Sequence, residues 1–135
     1  MFIKDRLNLA NKECVSFQSN IGIDIVYIED VDLLAVDPVD IVLTRDEWEE
    51  IKESVNFKER LAGKFAAKES IMKVLEKGLD TIDLIEIEIL NNDLGRPLVY
   101  LHGKTLDLWK MKRFNHLNVS ISHHKKYAVA IAIAE

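Results

Sequence analysis

A single cysteine, Cys14, stands among 135 residues, which rules out an internal disulfide framework and any cysteine-based zinc cluster. It reads as a half-buried thiol without chemistry of its own. Proline and glycine are scarce, at two and five, too few for a fibrous or low-complexity chain. Long apolar runs are missing too. The longest, YAVAIAIA at 127–134, falls far short of the roughly 20 residues that cross a bilayer and alternates like a strand. The opening stretch MFIKDRLNLANKECVSF breaks every apolar patch with charge or amide, so no signal-peptide core can be drawn. A cytoplasmic protein with no membrane association is expected. With 18 basic against 23 acidic residues the net charge is -5, which argues against general nucleic-acid binding.

What is present, 48% hydrophobic and 30% charged residues, is the composition of an ordinary folded protein, and the length suits one core rather than two. Residues 1–20 show no clear period and read as an N-terminal extension; 21–135 read as one domain. IGIDIVYI at 21–28 is a β-branched run that predicts a buried strand interrupted by Asp24. Between Glu29 and Glu50, nine carboxylates face only Arg45 and form an acidic belt. Thr44 followed by Glu47 predicts a capping box opening a helix over TRDEWEEIKES.

A longer helix is expected from about Phe57 to Lys77, stopped at Gly78 by a left-handed cap. Ala62, Ala66, Glu69 and Lys73 fall on one stripe of it, a groove-like face open to close approach. Leu61, Phe65, Met72 and Leu75 beside that stripe would anchor the helix. The segment TIDLIEIEIL at 81–90 and RPLVYL predict a hairpin around NNDLG, GKTLDLWKMKRF a short amphipathic helix, and LNVSIS with YAVAIAIA a terminal hairpin around HHKK. The alanine face of the last strand would let a helix lie close.

Three polar insertions interrupt apolar surroundings: Asp24 in a strand, Glu69 with Lys73 on a helix, and Ser122-His123 at a strand end. An ionised carboxylate hidden alone in a strand costs several kcal/mol, so Asp24 must reach solvent, a cation or a partner. Taken singly, each has a plain reading: a solvated strand end, a surface ion pair, an exposed loop histidine. Taken together they suit a magnesium-assisted phosphate site, with few protein carboxylates and phosphate oxygens completing an octahedron.

IGIDIV (21–26), LAGKFAAKESIMK (61–73), LGRP (94–97) and VSISHHKKYAVA (119–130) together resemble the 4′-phosphopantetheinyl transferases, in particular the short holo-acyl-carrier-protein synthase type. The resemblance covers most of the chain from residue 21, in the family's order. It implies an α+β fold with a small antiparallel sheet packed on one long helix, and homotrimers with sites between subunits. It also implies transfer of phosphopantetheine from coenzyme A to a serine of an acyl carrier protein, with magnesium, releasing adenosine 3′,5′-bisphosphate. On that likeness Asp24 and Glu69 would hold the metal, and Lys73 would contact phosphate. Lys64, Ser122 and His123 would bind the nucleotide phosphates, and the Gly95-Arg96-Pro97 turn would lie near the adenine. The base that deprotonates the serine is either Glu69 or a metal-ordered water, and Lys68 belongs to the motif without an evident role.

The acidic segment EDVDLLAVDPVDIV departs from the pattern, standing where such synthases carry an arginine-bearing helix that meets an acidic carrier. Pro38 disfavours a continuous helix there, and like charges would oppose docking. Docking would then use another basic surface, such as Lys52, Lys58 and Arg60, or an unusual carrier. Two other readings stay open: a coenzyme A-binding protein without transferase activity, and a magnesium-dependent phosphohydrolase. A pure interaction module built on the acidic belt is a third.

Overall fold

The computed structural model describes residues 11–16, 20–32 and 34–135. Most of the expected N-terminal extension, including Lys4 and Arg6, lies outside the described residues. Cys14 is exposed rather than half-buried, its thiol donating to Ser16 O at 3.2 Å.

Among the described residues five strands and three α-helices follow in the order β1 (Ile21–Tyr27), α1 (Arg45–Ile51), α2 (Phe57–Leu75), β2 (Ile87–Asn91), β3 (Pro97–Leu101), α3 (Gly103–Met111), β4 (Leu117–His124) and β5 (Tyr127–Ala134). The fold is α+β, but the strands form two sheets rather than one: an antiparallel β1-β5-β4 sheet and a β2-β3 hairpin. The 3-10 turns Ile28–Asp32 and Leu84–Glu86 precede α1 and β2. The expected strand from residue 81 therefore starts six residues later, because Asp83 caps the turn by accepting from Ile85 N.

The sheet packs on α2 through small residues. Ala128, Ala130, Ala132 and Ala134 of β5 and Ala62 and Ala66 of α2 are all buried. The groove-like face expected at Ala62 and Ala66 is thus filled by the chain's own core. Gly22 of β1 fixes the closest approach, since a Cβ there would stand 2.0 Å from Ser70 O. Leu61, Ile71, Val74 and Leu75 fill the remaining core, each contributing about 1.5–3 kcal/mol by leaving water.

Thr44 makes the full capping box with Glu47. The end of α2 differs from expectation: Glu76, not Gly78, takes the left-handed conformation at φ 58. Lys77 N donates back to Met72 O at 3.2 Å, closing the helix two residues early. Among the described residues of the acidic segment no α-helix follows the 3-10 turn, in line with Pro38. Its carbonyl instead accepts from Ile41, Val42 and Leu43 N in a tight loop that sends Val42 and Leu43 into the core. Among the described residues no helix is long and apolar enough to cross a membrane.

Candidate active site

Strand alternation puts Gly22, Asp24 and Val26 of β1 on the side facing α2 and leaves Ile21, Ile23 and Ile25 on the other. Asp24 therefore meets the C-terminal half of α2. Lys73 Nζ donates to Ile23 O at 2.6 Å and lies 3.4 Å from Asp24 Oδ1, whose side chain is 20% exposed. The structure thus supplies Asp24 with a cation from its own chain. Glu69 stands one turn before Lys73. Burial first, and the Asp24 charge second, push its carboxyl above the ordinary carboxylate range, with Lys73 opposing.

Asp24 and Glu69 are two oxygen donors close enough for the Asp24 charge to raise the cost of ionising Glu69. No group of three or more histidine, cysteine or carboxylate side chains placed to hold a metal occurs among the described residues. A pair of this kind suits magnesium, which takes one or two protein carboxylates and fills its octahedron with phosphate and water, and does not suit zinc. The donor set therefore fits the metal that the sequence suggested.

A second cavity lies at the N-terminal half of α2. Arg60, Gly63 and Lys64 form its floor; Ile121 and His123 close one side, Ile89 and Asn91 another, and Gly95 and Pro97 the rim. Gly63 leaves space for the histidine ring, since a Cβ there would stand 2.7 Å from His123 Nε2. The turn at Asn92 holds the rim: Asn92 Oδ1 accepts from Leu94 N and Arg96 N, and Gly95 sits at φ 80.

The structure brings Lys64, Gly95, Pro97 and His123 together, and separately Asp24, Glu69 and Lys73. It does not bring Arg96 or Ser122 into the cavity. The Arg96 guanidinium turns to Asn118 Oδ1 at 3.0 Å. Ser122, adjacent to His123 on β4, must face the opposite side of the sheet. Lys64 lines the cavity but is committed to Glu50 Oε2 at 2.5 Å and to Ile89 O. Arg60 was read only as part of a docking surface; its spacing of four from Lys64 was the signal that it shares the cavity.

Lys68 gains a structural role. Its ammonium is fully buried and donates to Glu47 Oε1 at 2.6 Å, Val42 O at 2.6 Å and Leu84 O at 3.1 Å, which uses all three protons. Burial lowers its pKa and the Glu47 charge opposes the shift.

Five of the nine carboxylates of the acidic belt pair with cations of the fold. Glu47 pairs with Lys68, Glu50 with Lys64, Asp32 with Lys58, Asp40 with Arg45 and Glu49 with Lys52. The same pairs remove Lys52 and Lys58 as an unbalanced basic docking surface.

The profile of the 4′-phosphopantetheinyl transferase superfamily matches residues 20–132. The chain is 41% identical over 93 residues to the holo-[acyl-carrier-protein] synthase of Fusobacterium nucleatum, covering 68% of this chain and 76% of that protein. It is 38% identical over 117 residues to the enzyme of that name from Alkaliphilus oremlandii, covering 84% of this chain and 96% of that one. Among solved structures, the Helicobacter pylori holo-[acyl-carrier-protein] synthase in complex with coenzyme A superposes with a TM-score of 0.71 at 28% identity, covering 85% of this chain and 99% of that one. A profile match across nearly the whole described fold, with relatives similar over most of their length, makes this chain a member of the 4′-phosphopantetheinyl transferase superfamily.

Proposed function

We propose that the chain is a holo-acyl-carrier-protein synthase that moves 4′-phosphopantetheine from coenzyme A to a serine of an acyl carrier protein in the cytoplasm, with magnesium. The observation that carries this reading is the placement of Asp24, Glu69 and Lys73 at one point of the β1–α2 contact, in a chain whose relatives bear that enzyme's name.

In the reaction the carrier serine Oγ forms a bond to the pantetheine-side phosphorus. The bond from that phosphorus to the bridging oxygen breaks, and adenosine 3′,5′-bisphosphate leaves. Magnesium, when bound by Asp24 and Glu69, would neutralise the pyrophosphate. Lys73, held at β1 by Ile23 O, places its charge beside the same carboxylates and favours the charge that develops on the leaving group. The serine proton passes to Glu69 or to a metal-ordered water. Positioning and charge carry most of such a phosphoryl transfer, so a site this small suffices.

The site is completed by a second copy of the chain. Asp24 lies on one edge of the sheet, β1, and His123 on the other, β4, about 10 Å apart across β5. On the outer face Ile21, Ile23 and Ile25 are 55%, 58% and 64% exposed, an apolar patch of the kind subunit contacts cover. Seating that patch on a neighbour joins the Asp24 half of one site to the His123 half of another, and closing such a head-to-tail contact gives a ring, here a homotrimer.

The test is mass spectrometry of an apo carrier protein incubated with the chain, coenzyme A and magnesium. A gain of phosphopantetheine that Glu69→Ala abolishes supports the reading, and no gain on acidic or less acidic carriers rejects it. Light scattering at three times the chain mass supports the trimer; a monomer rejects it.

A further inference from the structure

Resting on the coenzyme A reading above, we propose that Arg60 recognises the phosphomonoester of the ligand in the His123 cavity. Lys64, to which the family likeness assigns a phosphate contact, is engaged elsewhere. Its side chain is 6% exposed and paired with Glu50, whose other oxygen accepts from Asn91 N at 2.7 Å. An anion entering the cavity meets Lys64 and Glu50 as a neutral pair. Pulling the ammonium away would leave a partly buried carboxylate unpaired, which is costly.

Arg60 stands one turn earlier on the same face of α2 and lines the same cavity. Among the described residues only its Nη1 is engaged, with Ser54 Oγ at 2.8 Å and Glu50 O at 3.4 Å, both neutral oxygens. Its charge is therefore uncompensated, and Nη2 and Nε remain to offer a planar fork to a tetrahedral anion. His123, set against Gly63 on the opposite side, adds a ring nitrogen to the same space. Arginine at 60 thus supplies the fork that the lysine at 64 does not.

The proposed reaction selects the phosphate. It gives the pyrophosphate to Asp24, Glu69 and Lys73, which leaves Arg60 a phosphate outside the pyrophosphate. Coenzyme A carries one phosphate outside its pyrophosphate, the 3′-monoester. Arg60 then sets preference for the 3′-phosphorylated nucleotide without taking part in bond making.

The experiment is calorimetric titration of the full chain and of Arg60→Ala and Arg60→Lys with adenosine 3′,5′-bisphosphate and with adenosine 5′-monophosphate. Arg60→Ala is expected to weaken the bisphosphate roughly 10- to 100-fold, the worth of a charge-assisted contact, and to leave the monophosphate unchanged. Arg60→Lys should recover only part, since a point charge replaces a fork. The ratio of kcat/KM for coenzyme A to that for 3′-dephospho-coenzyme A, which is insensitive to the folded fraction, should fall in parallel. An unchanged ratio, or equal weakening of both nucleotides, overturns the assignment while leaving the transferase reading intact. If the unaltered chain binds neither nucleotide, both are overturned.

Discussion

Replacing Lys68 by methionine tests how α2 is fixed against the rest of the chain. The substitution keeps the apolar stem and removes an ammonium that is fully buried with Glu47. Glu47 keeps Thr44 N at 2.9 Å and Ile89 N at 3.0 Å as donors but becomes an uncompensated buried charge, while Val42 O and Leu84 O lose their Nζ partner. Breaking one side of such a pair costs about 3–5 kcal/mol. An unfolding entropy of about 2.1 cal/mol/K per residue gives about 0.28 kcal/mol/K for this chain, so Tm should fall by about 10–18 °C. Circular dichroism melting measures it, with chemical denaturation as the check on the free energy. Adding Glu47→Gln to Lys68→Met should restore part of the loss, because the stranded charge is gone, and only part, because the single amide oxygen can accept from one of Thr44 N and Ile89 N but not both. A single variant that melts within about 3 °C of the unaltered chain would refute the reasoning.

Gly22→Ala drives a Cβ to 2.0 Å from Ser70 O, a clash between backbones with no side chain to yield; it should cost more than about 3 kcal/mol, and a soluble variant with unchanged Tm would contradict the packing. Gly63→Ala meets His123 Nε2 at 2.7 Å, and that ring can swing away, so KM for coenzyme A should rise several-fold, about 1 kcal/mol of binding, with a smaller change in Tm than at Gly22. Glu69 binds its proton more tightly in the folded chain than at its ordinary value of 4.5, so between that value and the raised one the folded state holds more protons than the unfolded. Stability therefore falls as pH rises through that window and stays lowered above it. In a chelating buffer at pH 7, Glu69→Gln should melt higher than the unaltered chain while losing transfer, with the gap closing as the pH drops below 4.5; an equal or lower Tm at pH 7 would contradict the placement of Glu69 beside Asp24.

Local signals carried much of the fold. The Thr44–Glu47 capping box opens α1 because both partners lie within one turn, and the alternation of YAVAIAIA gives a strand whose alanines all turn inward. Asp24, Glu69 and Lys73 were legible as polar intrusions into apolar segments, and the contact of β1 with α2 joins them. Pairings across the fold were not legible. Glu47 and Glu50 look like solvated helix residues until Lys68 and Lys64, 21 and 14 positions away, arrive beside them. Two lysines on a helix read as its wet face, yet both are buried because each finds a carboxylate and a carbonyl of β2 or its approach. Ser122 is a different case. Neighbouring residues of a strand point to opposite faces, so Ser122 and His123 lie on different sides of the sheet, and the alternation was visible in VSISHH itself. The exit of α2 at Glu76 depends on Lys77 N reaching Met72 O, a choice that Gly78 did not need to make.

The central claim is transfer to a carrier rather than hydrolysis. The measurement that bears on it most directly is chromatographic quantification of adenosine 3′,5′-bisphosphate released from coenzyme A and magnesium, with and without an apo acyl carrier protein. The account predicts release only with the carrier, one equivalent per serine modified, and none when Asp24 or Glu69 is replaced by alanine. Release that proceeds at the same rate without the carrier would contradict it and make the chain a hydrolase.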